Sequence, residues 1–412
     1  MEGTSHTSQK KFILPDGFRY SCIPGCGLCC QGWEIDIDPK AYETLSKIDW
    51  PAVSGKFKGR KIFVESESGK KFFELIDRKC VFLDGDNGCV IHGKLGYAAK
   101  AHTCKRYPLN FLETPDGVMV RLSFVCPSVL KNAGRPLEEQ LDQIKEIFYA
   151  SDRDYHSVAG PVFLDEETSI PWDKYLTVEN ALLRILDLGG NYEDVLRAGA
   201  KFLRYVSENV KNGRDIVKIL DEAGQKSFSE KRVEASITKR RLYMTVFAAK
   251  ELVGQSKKAA PSRYFNILKI VLGKGNIVVN GIETDLAKMD KIKFDINDEA
   301  FSHTVRRYIR HLISTKWHLL PVNKLGPQNT NLISGYSFIL IIYALIRWYS
   351  TVFAVQRGGE KVAAEDVEKA VSFVERSYAG HISRDTFFSN DKGFAQISNI
   401  LITQSNFEDI II

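Results

Sequence analysis

Tyr20-Ser-Cys22-Ile-Pro-Gly-Cys26-Gly-Leu-Cys29-Cys30-Gln-Gly-Trp33-Glu-Ile-Asp-Ile-Asp38 is the stretch that decides how the first third of this 412-residue chain is built. Four thiols crowd between Cys22 and Cys30, and Gly25, Gly27 and Gly32 allow the backbone to wrap tightly around whatever those thiols hold. Further along come Cys80-Val-Phe-Leu-Asp-Gly-Asp-Asn-Gly-Cys89-Val-Ile-His92, then His102-Thr-Cys104-Lys-Arg-Tyr-Pro108, and last Cys126-Pro127. All 8 cysteines therefore lie between Cys22 and Cys126, and the rest of the chain has none.

An even cysteine count fits disulfides in a secreted protein. Here the opening residues, MEGTSHTSQKKFILPDG, place only three apolar residues between Lys11 and Pro15, so no signal-peptide core is expected. Adjacent Cys29 and Cys30 also suit a metal better than a disulfide framework. Thiolates favour zinc and iron–sulfur centres, and one zinc needs only four of them. The reading is a metal centre drawing on Cys22, Cys26, Cys29, Cys30, Cys80, Cys89, Cys104 and Cys126, with iron–sulfur preferred and Zn2+ the alternative. His92 and His102 are near enough in sequence to be ligands but are expected to be packed or hydrogen-bonded imidazoles. Asp84 and Asp86 read as turn residues.

Composition sets outer limits. With 57 basic and 51 acidic residues the formal charge is +6, spread along the chain rather than gathered in the stripe that nucleic acid requires. Arg306, Arg307, Arg310 and His311 fall on one expected helix and read as a solvated face, so no nucleic-acid partner is expected. The apolar run Ile333–Val355 is long enough for a membrane span, but it contains Arg347 and several serines, so a buried core helix is expected and no membrane span. The chain reads as cytoplasmic.

Two domains follow from the change in texture near Pro136. The expected class is α+β: a small loop-rich cysteine-cluster domain with a few short strands (1–136), then a mainly α-helical domain read as all-α (137–412). In the first, KIFVE (61–65) and KKFFELI (70–76) flank a hairpin signal, VMVRLSF (118–124) reads as a strand, and helices are expected over Pro39–Ile48 and around Gly96–His102. In the second, apolar residues recur at steps of three and four, as in EDVLRAGAKFLRYVSENV, KRRLYMTVFAAKELV and DEAFSHTVRRYIRHLI.

Cys22, Cys26 and Cys29 spell C-x3-C-x2-C, a spacing shared with radical S-adenosylmethionine enzymes, but the helical sequence that follows cannot build the β/α barrel on which those enzymes place it. The longer string CC-x-GW-x-I-x-I-D (Cys29–Asp38), together with KCVFL…GCVIH, HTCKRYP and LSFVCP (122–127), resembles the flagellin lysine-N-methylase family, within the wider CxxCxxCC group of zinc- or iron-chelating cysteine-cluster proteins. Phe373-Val-Glu-Arg-Ser-Tyr-Ala-Gly-His381 is similar to a near-terminal SR-x-x-EH pattern of those methylases. The resemblance implies a [4Fe-4S] cluster, S-adenosylmethionine as methyl donor, and a protein substrate such as flagellin methylated on lysine; the alternative reading is a non-catalytic zinc- or iron-chelating cysteine-cluster protein with a helical interaction domain. Under the methylase expectation Cys22, Cys26 and Cys29 hold the cluster and the bound S-adenosylmethionine. Glu34, Asp36 and Asp38 are candidates to receive the substrate ammonium. No residue stands out as the catalytic base.

Overall fold

The computed structural model describes residues 10–151, 155–224, 228, 240–245, 247, 260–279, 281–295, 298–320, 330–380 and 407–411. It divides into two compact units, Met1–His156 and Ser157–Ile412. The architecture is mixed: short strands and short helices in the first unit, mostly helices in the second.

The first unit is assembled from pieces too short to stand alone. Strand β1 (Phe12–Ile13) runs parallel to β8 (Gly117–Leu122), which forms a hairpin with β7 (Leu109–Thr114) in the register Leu109↔Leu122 to Thr114↔Gly117. β2 (Arg19–Tyr20) pairs with β9 (Arg135–Pro136), so the segment leading into Cys22 is closed by residues more than a hundred positions later. β3 (Phe63–Glu65) and β4 (Lys71–Phe73) form the expected hairpin, and β5 (Leu75–Ile76) pairs with β6 (Lys79–Cys80). Two-residue strands gain little from backbone pairing, so the unit depends on side-chain burial. An aromatic nest provides it. The Trp50 ring lies 4.6 Å from Phe82 and 5.6 Å from Phe57, Phe73 lies 5.1 Å from Phe82, and the Trp50 indole donates to the Leu45 carbonyl at 2.9 Å.

Helix α1 (Pro39–Ser46) matches its expected position. Asp38 caps it by accepting from the Ala41 amide, and proline at N1 gives up no needed donor. Around 96–102 the outcome differs from the expected helix. Gly96 takes φ +84° and breaks the chain between α3 (Val90–Leu95) and α4 (His102–Arg106), with a single 3-10 turn, Tyr97–Ala99, between them. α2 is Trp50–Val53 and α5 is Pro127–Leu130.

The unit boundary falls at His156 rather than near residue 136, because α6 (Leu141–Tyr149) packs back onto the first unit's strands. Phe148 meets Phe12 at 5.2 Å and Phe111 at 5.3 Å, edge to face. Amphipathic periodicity identifies such a helix without saying which core receives it.

In the second unit the expected helices appear as Trp172–Leu186, Tyr192–Lys211, Ala260–Leu272, Glu299–Ser314, Leu332–Arg357 and Ala364–Val374, and Ile216–Ala223 is a further helix that the sequence reading did not single out. It is not purely helical: hairpins pair Val162–Phe163 with Ser169–Ile170 and Asn276–Val279 with Ile282–Asp285. The helix expected over 239–253 lies only partly within the described residues, and His381 lies outside them. Leu332–Arg357 is long and apolar enough to cross a membrane, yet 78% of its most apolar window is buried inside the unit, the environment of a core helix. Its Arg347 ion-pairs with the buried Glu193. Arg306 donates to the Leu188 and Gly190 carbonyls and Arg310 pairs with Asp187, so these two arginines are engaged with a neighbouring helix end while His311 is buried.

Candidate metal centre

The cysteines are delivered by several local devices. Cys29 and Cys30 sit in a 3-10 turn, Leu28–Cys30, entered through Gly27 at φ +61°. The Cys30 amide donates to the Gly27 carbonyl at 3.0 Å, and the Trp33 indole donates to the Cys29 carbonyl at 3.2 Å. Gln31 bridges to Lys79, which sets Cys30 beside Cys80 on β6. The Leu83 amide donates to the Cys80 carbonyl at 2.9 Å, and Leu83 bridges Cys89, folding the second cysteine loop back on itself before Cys89 starts α3. Cys104 rides on α4, and Cys126 precedes Pro127 at the start of α5. Ser128 accepts from the Ser21 amide at 3.0 Å, tying the Cys126 segment to the Cys22 segment.

All eight thiols are free. Cys80 and Cys126 are buried, Cys22 is exposed and the others are half-buried. Cys29 and Cys30 share a sulfur–sulfur contact of 3.8 Å. Among the described residues no three Cys, His, Asp or Glu side chains converge tightly enough to grip one ion as they stand. The thiols are gathered without being closed on a metal.

Their electrostatics fit a cation. The hydrogen bond from Cys30 holds Cys29 down to about 6, against desolvation, while the same contact drives Cys30 far above the ordinary thiol range. Burial pushes Cys80 up to about 12 and Cys126 up to about 11, and raises Cys104 and Cys22 as well. In each case neighbouring thiolates add to the rise, because each negative charge disfavours the next. Burial opposes the charged form of Lys100, yet the surrounding Cys104, Cys89, Cys29 and Cys30 raise its pKa. An array of soft donors that repel one another when ionised is what a thiophilic cation relieves, with protons released as it binds.

Beside the thiols opens a cavity of about 230 Å³. Cys22, Cys26, Cys29, Cys104 and Cys126 line it, with Tyr20, Tyr97, Tyr107, Lys100, Lys105, Arg135, His92, Gln140 and Gln143. One water needs roughly 10–15 Å³ by a comparable measure, so the space exceeds what a single ion requires. The tyrosines and basic residues escaped the sequence reading. Tyr20 and Tyr107 stand within three positions of a cysteine, which was the available signal, whereas Arg135, Gln140 and Gln143 arrive only through the β2–β9 pairing and α6.

The other candidates separate clearly. His92 lines the cavity and is exposed. The His102 ring meets the Ile147 carbonyl at 2.8 Å and its amide donates to Asp38, a structural arrangement. Asp38 also caps α1, and Asp36 accepts from the Thr103 hydroxyl at 2.6 Å. Neither these two nor Glu34 is among the residues lining the cavity, so the proposed ammonium-binding trio is not assembled there. Asp84 accepts from the Asp86 and Gly88 amides, as a turn residue should.

No curated protein and no solved structure matches the chain. Residues 21–126, the span holding every cysteine, match the model of the CxxCxxCC family, described as "Putative zinc- or iron-chelating domain", so this part of the chain is similar to cysteine-cluster domains of that kind.

Proposed function

We propose that the chain is an iron–sulfur-dependent methyltransferase that transfers the methyl group of S-adenosylmethionine to lysine side chains of a protein substrate of the flagellin kind. The observation that carries this reading is the cavity: a purely structural metal staple has no use for an organic-ligand-sized space walled by thiols, tyrosines and cations. Cys22, Cys26 and Cys29, the thiols of the C-x3-C-x2-C spacing, line the cavity and would hold the centre there. When bound, the iron–sulfur centre supplies an open coordination position for the amino and carboxylate groups of the methyl donor.

The remaining work falls to side chains of this chain. Lys100, Lys105 and Arg135 favour an anionic carboxylate in the cavity. The same charges disfavour a second ammonium, so a substrate lysine entering there is shifted toward its neutral, nucleophilic form. The rings of Tyr20, Tyr97 and Tyr107 can attract the sulfonium. The amine lone pair forms the new C–N bond as the methyl C–S bond breaks, its electron pair returns to sulfur, and the amine then sheds a proton. Among the described lining residues there is no carboxylate, and His92 supplies the imidazole that could take this proton.

The test is anaerobic purification followed by iron, sulfide and zinc analysis, then incubation with methyl-labelled S-adenosylmethionine and flagellin. About four iron and four sulfide per chain are expected, with label on lysine. Zinc without sulfide defeats the cluster, and a loaded chain that transfers no label defeats the methyltransferase.

A further inference from the structure

Within the second unit a separate cavity of about 220 Å³ opens beside the apolar core helix Leu332–Arg357. From Gly335 to Ala354 that helix is buried except at Arg347, Trp348 and Thr351, and these three all line the cavity. Steps of three and four residues put them on one helix face with Ala344, which lines it too. The core helix is thus uncovered along this stretch only where the cavity meets it. Met244, Ile270, Leu286 and Met289 give the space an apolar lining. Against that lining stand Arg240, Arg241 and Arg347, with Asp290 the carboxylate among the described lining residues.

Two of these guanidiniums are fixed in place with donors to spare. Arg241 commits Nη2 to both Asp290 oxygens at 2.6 Å, and its Nε and Nη1 donate to no described residue. Gly273, at φ +64°, makes the seat for this side chain, because a Cβ there would fall on the guanidinium. Arg347 commits Nη1 to the buried Glu193 and lies 5.1 Å from the centre of the Phe294 ring, while its Nε and Nη2 donate to no described residue. The Trp348 indole, half-buried on the same wall, also donates to no described residue.

We propose that this cavity binds a small aromatic phosphate, its ring against Trp348 and its phosphate on the uncommitted donors of Arg241 and Arg347. Guanidinium forks recognise phosphate through paired N–H donors, and flat rings pack well on an indole. Each arginine already holds one carboxylate, so the ligand has to be an anion strong enough to draw on the donors that remain. Phosphate, with three oxygens and a charge of about −2, meets that need better than a second carboxylate. Arginines held before the ligand arrives lower the cost of ordering the site. The site is independent of the proposed methyl transfer.

Calorimetric titration of the full chain at low salt with phenyl phosphate, inorganic phosphate and phenol tests it. Phenyl phosphate is expected to bind roughly 10-fold or more tighter than either fragment. Trp348→Leu should weaken it roughly 3- to 10-fold, and Arg241→Gln roughly 10-fold or more. Gly273→Ala, which keeps the guanidinium but takes its seat, should weaken it as well. Where a variant does not fold, hydrogen exchange on the wild type decides: phenyl phosphate should slow exchange in 240–245 and 344–351. No saturation of the wild type, unchanged affinity in the folded Trp348→Leu and Arg241→Gln variants, or protection confined to other segments would overturn the proposal. Phenol binding as tightly as phenyl phosphate would remove the anion from it, and inorganic phosphate doing so would remove the ring.

Discussion

Replacing Gly27 by alanine should loosen the metal centre far more than the same change at Gly25, although both glycines stand in the first cysteine loop with positive φ. Gly27 sits at φ +61° and Gly25 at +70°, so either alanine pays the left-handed penalty of about 1–2 kcal/mol. The difference is in the surroundings. A Cβ on Gly27 would come within 3.0 Å of both the Asn87 Cβ and the Leu83 Cδ1, whereas one on Gly25 meets only the Asp86 carbonyl oxygen at 3.4 Å. Leu83 and Asn87 belong to the second cysteine loop, so the clash forces the two thiol-bearing loops apart. Overpacking of this kind costs roughly 1–3 kcal/mol. Because metal binding and folding of such a domain are linked, that extra cost should appear as apparent metal affinity lower by roughly 5- to 150-fold for Gly27→Ala than for Gly25→Ala. Competition against a graded series of chelators reads this directly, with urea unfolding of the metal-free chain as a companion measurement. Equal affinities for the two variants, within twofold, would refute the claim that Gly27 is the point of contact between the loops.

Two further outcomes are expected. In the metal-free chain Cys29 should be the first thiol alkylated by iodoacetamide, with half-maximal rate near pH 6, while Cys80 and Cys126 resist until strongly alkaline pH or unfolding. A thiol depressed in the folded state contributes stability that is fully present above the unfolded value of about 8.5 and lost as pH falls through about 6. Peptide mass spectrometry across pH checks the order of modification, and Cys22 reacting before Cys29 contradicts it. In the second unit the Lys316 ammonium is bound to Glu179, both buried, with the Tyr175 hydroxyl donating to the same carboxylate. Lys316→Met should destabilise by about 3–5 kcal/mol by stranding that carboxylate, and adding Glu179→Gln should recover part of the loss. Denaturant midpoints measure both, and a double variant no more stable than the single one would show that the charge is not the cause.

What the sequence discloses and what it conceals follow from the range of the interactions involved. The helices of the second unit were readable because an apolar stripe at three- and four-residue steps is a local signal; Tyr192–Lys211 buries Val195, Leu196, Phe202, Leu203 and Val206 on one such face. The β3–β4 hairpin and the Asp38 cap are equally local. The walls of the cavity were not readable. Arg135 and Gln140 reach Tyr20 through strand pairing and a hydrogen bond to its carbonyl at 3.0 Å, across more than a hundred residues, and two-residue strands leave no period to detect. The acidic residues misled for a related reason: in the alternating string Glu34-Ile-Asp-Ile-Asp38 the charges face away from the buried Ile35 and Ile37, but only tertiary structure shows Asp36 spent on Thr103 and Asp38 on the His102 amide.

The cysteines illustrate the limit most clearly. Spacing gathers Cys22, Cys26, Cys29 and Cys30 into one motif and invites the assumption of one ion. Yet Cys29 and Cys30, consecutive on a 3-10 turn, meet different surroundings, the first on the cavity and the second against the aromatic core. A turn of about 120° per residue makes that divergence unavoidable for neighbours in a 3-10 helix. Consecutive thiols on such a turn therefore border two environments from one short loop while their sulfurs stay in contact at 3.8 Å.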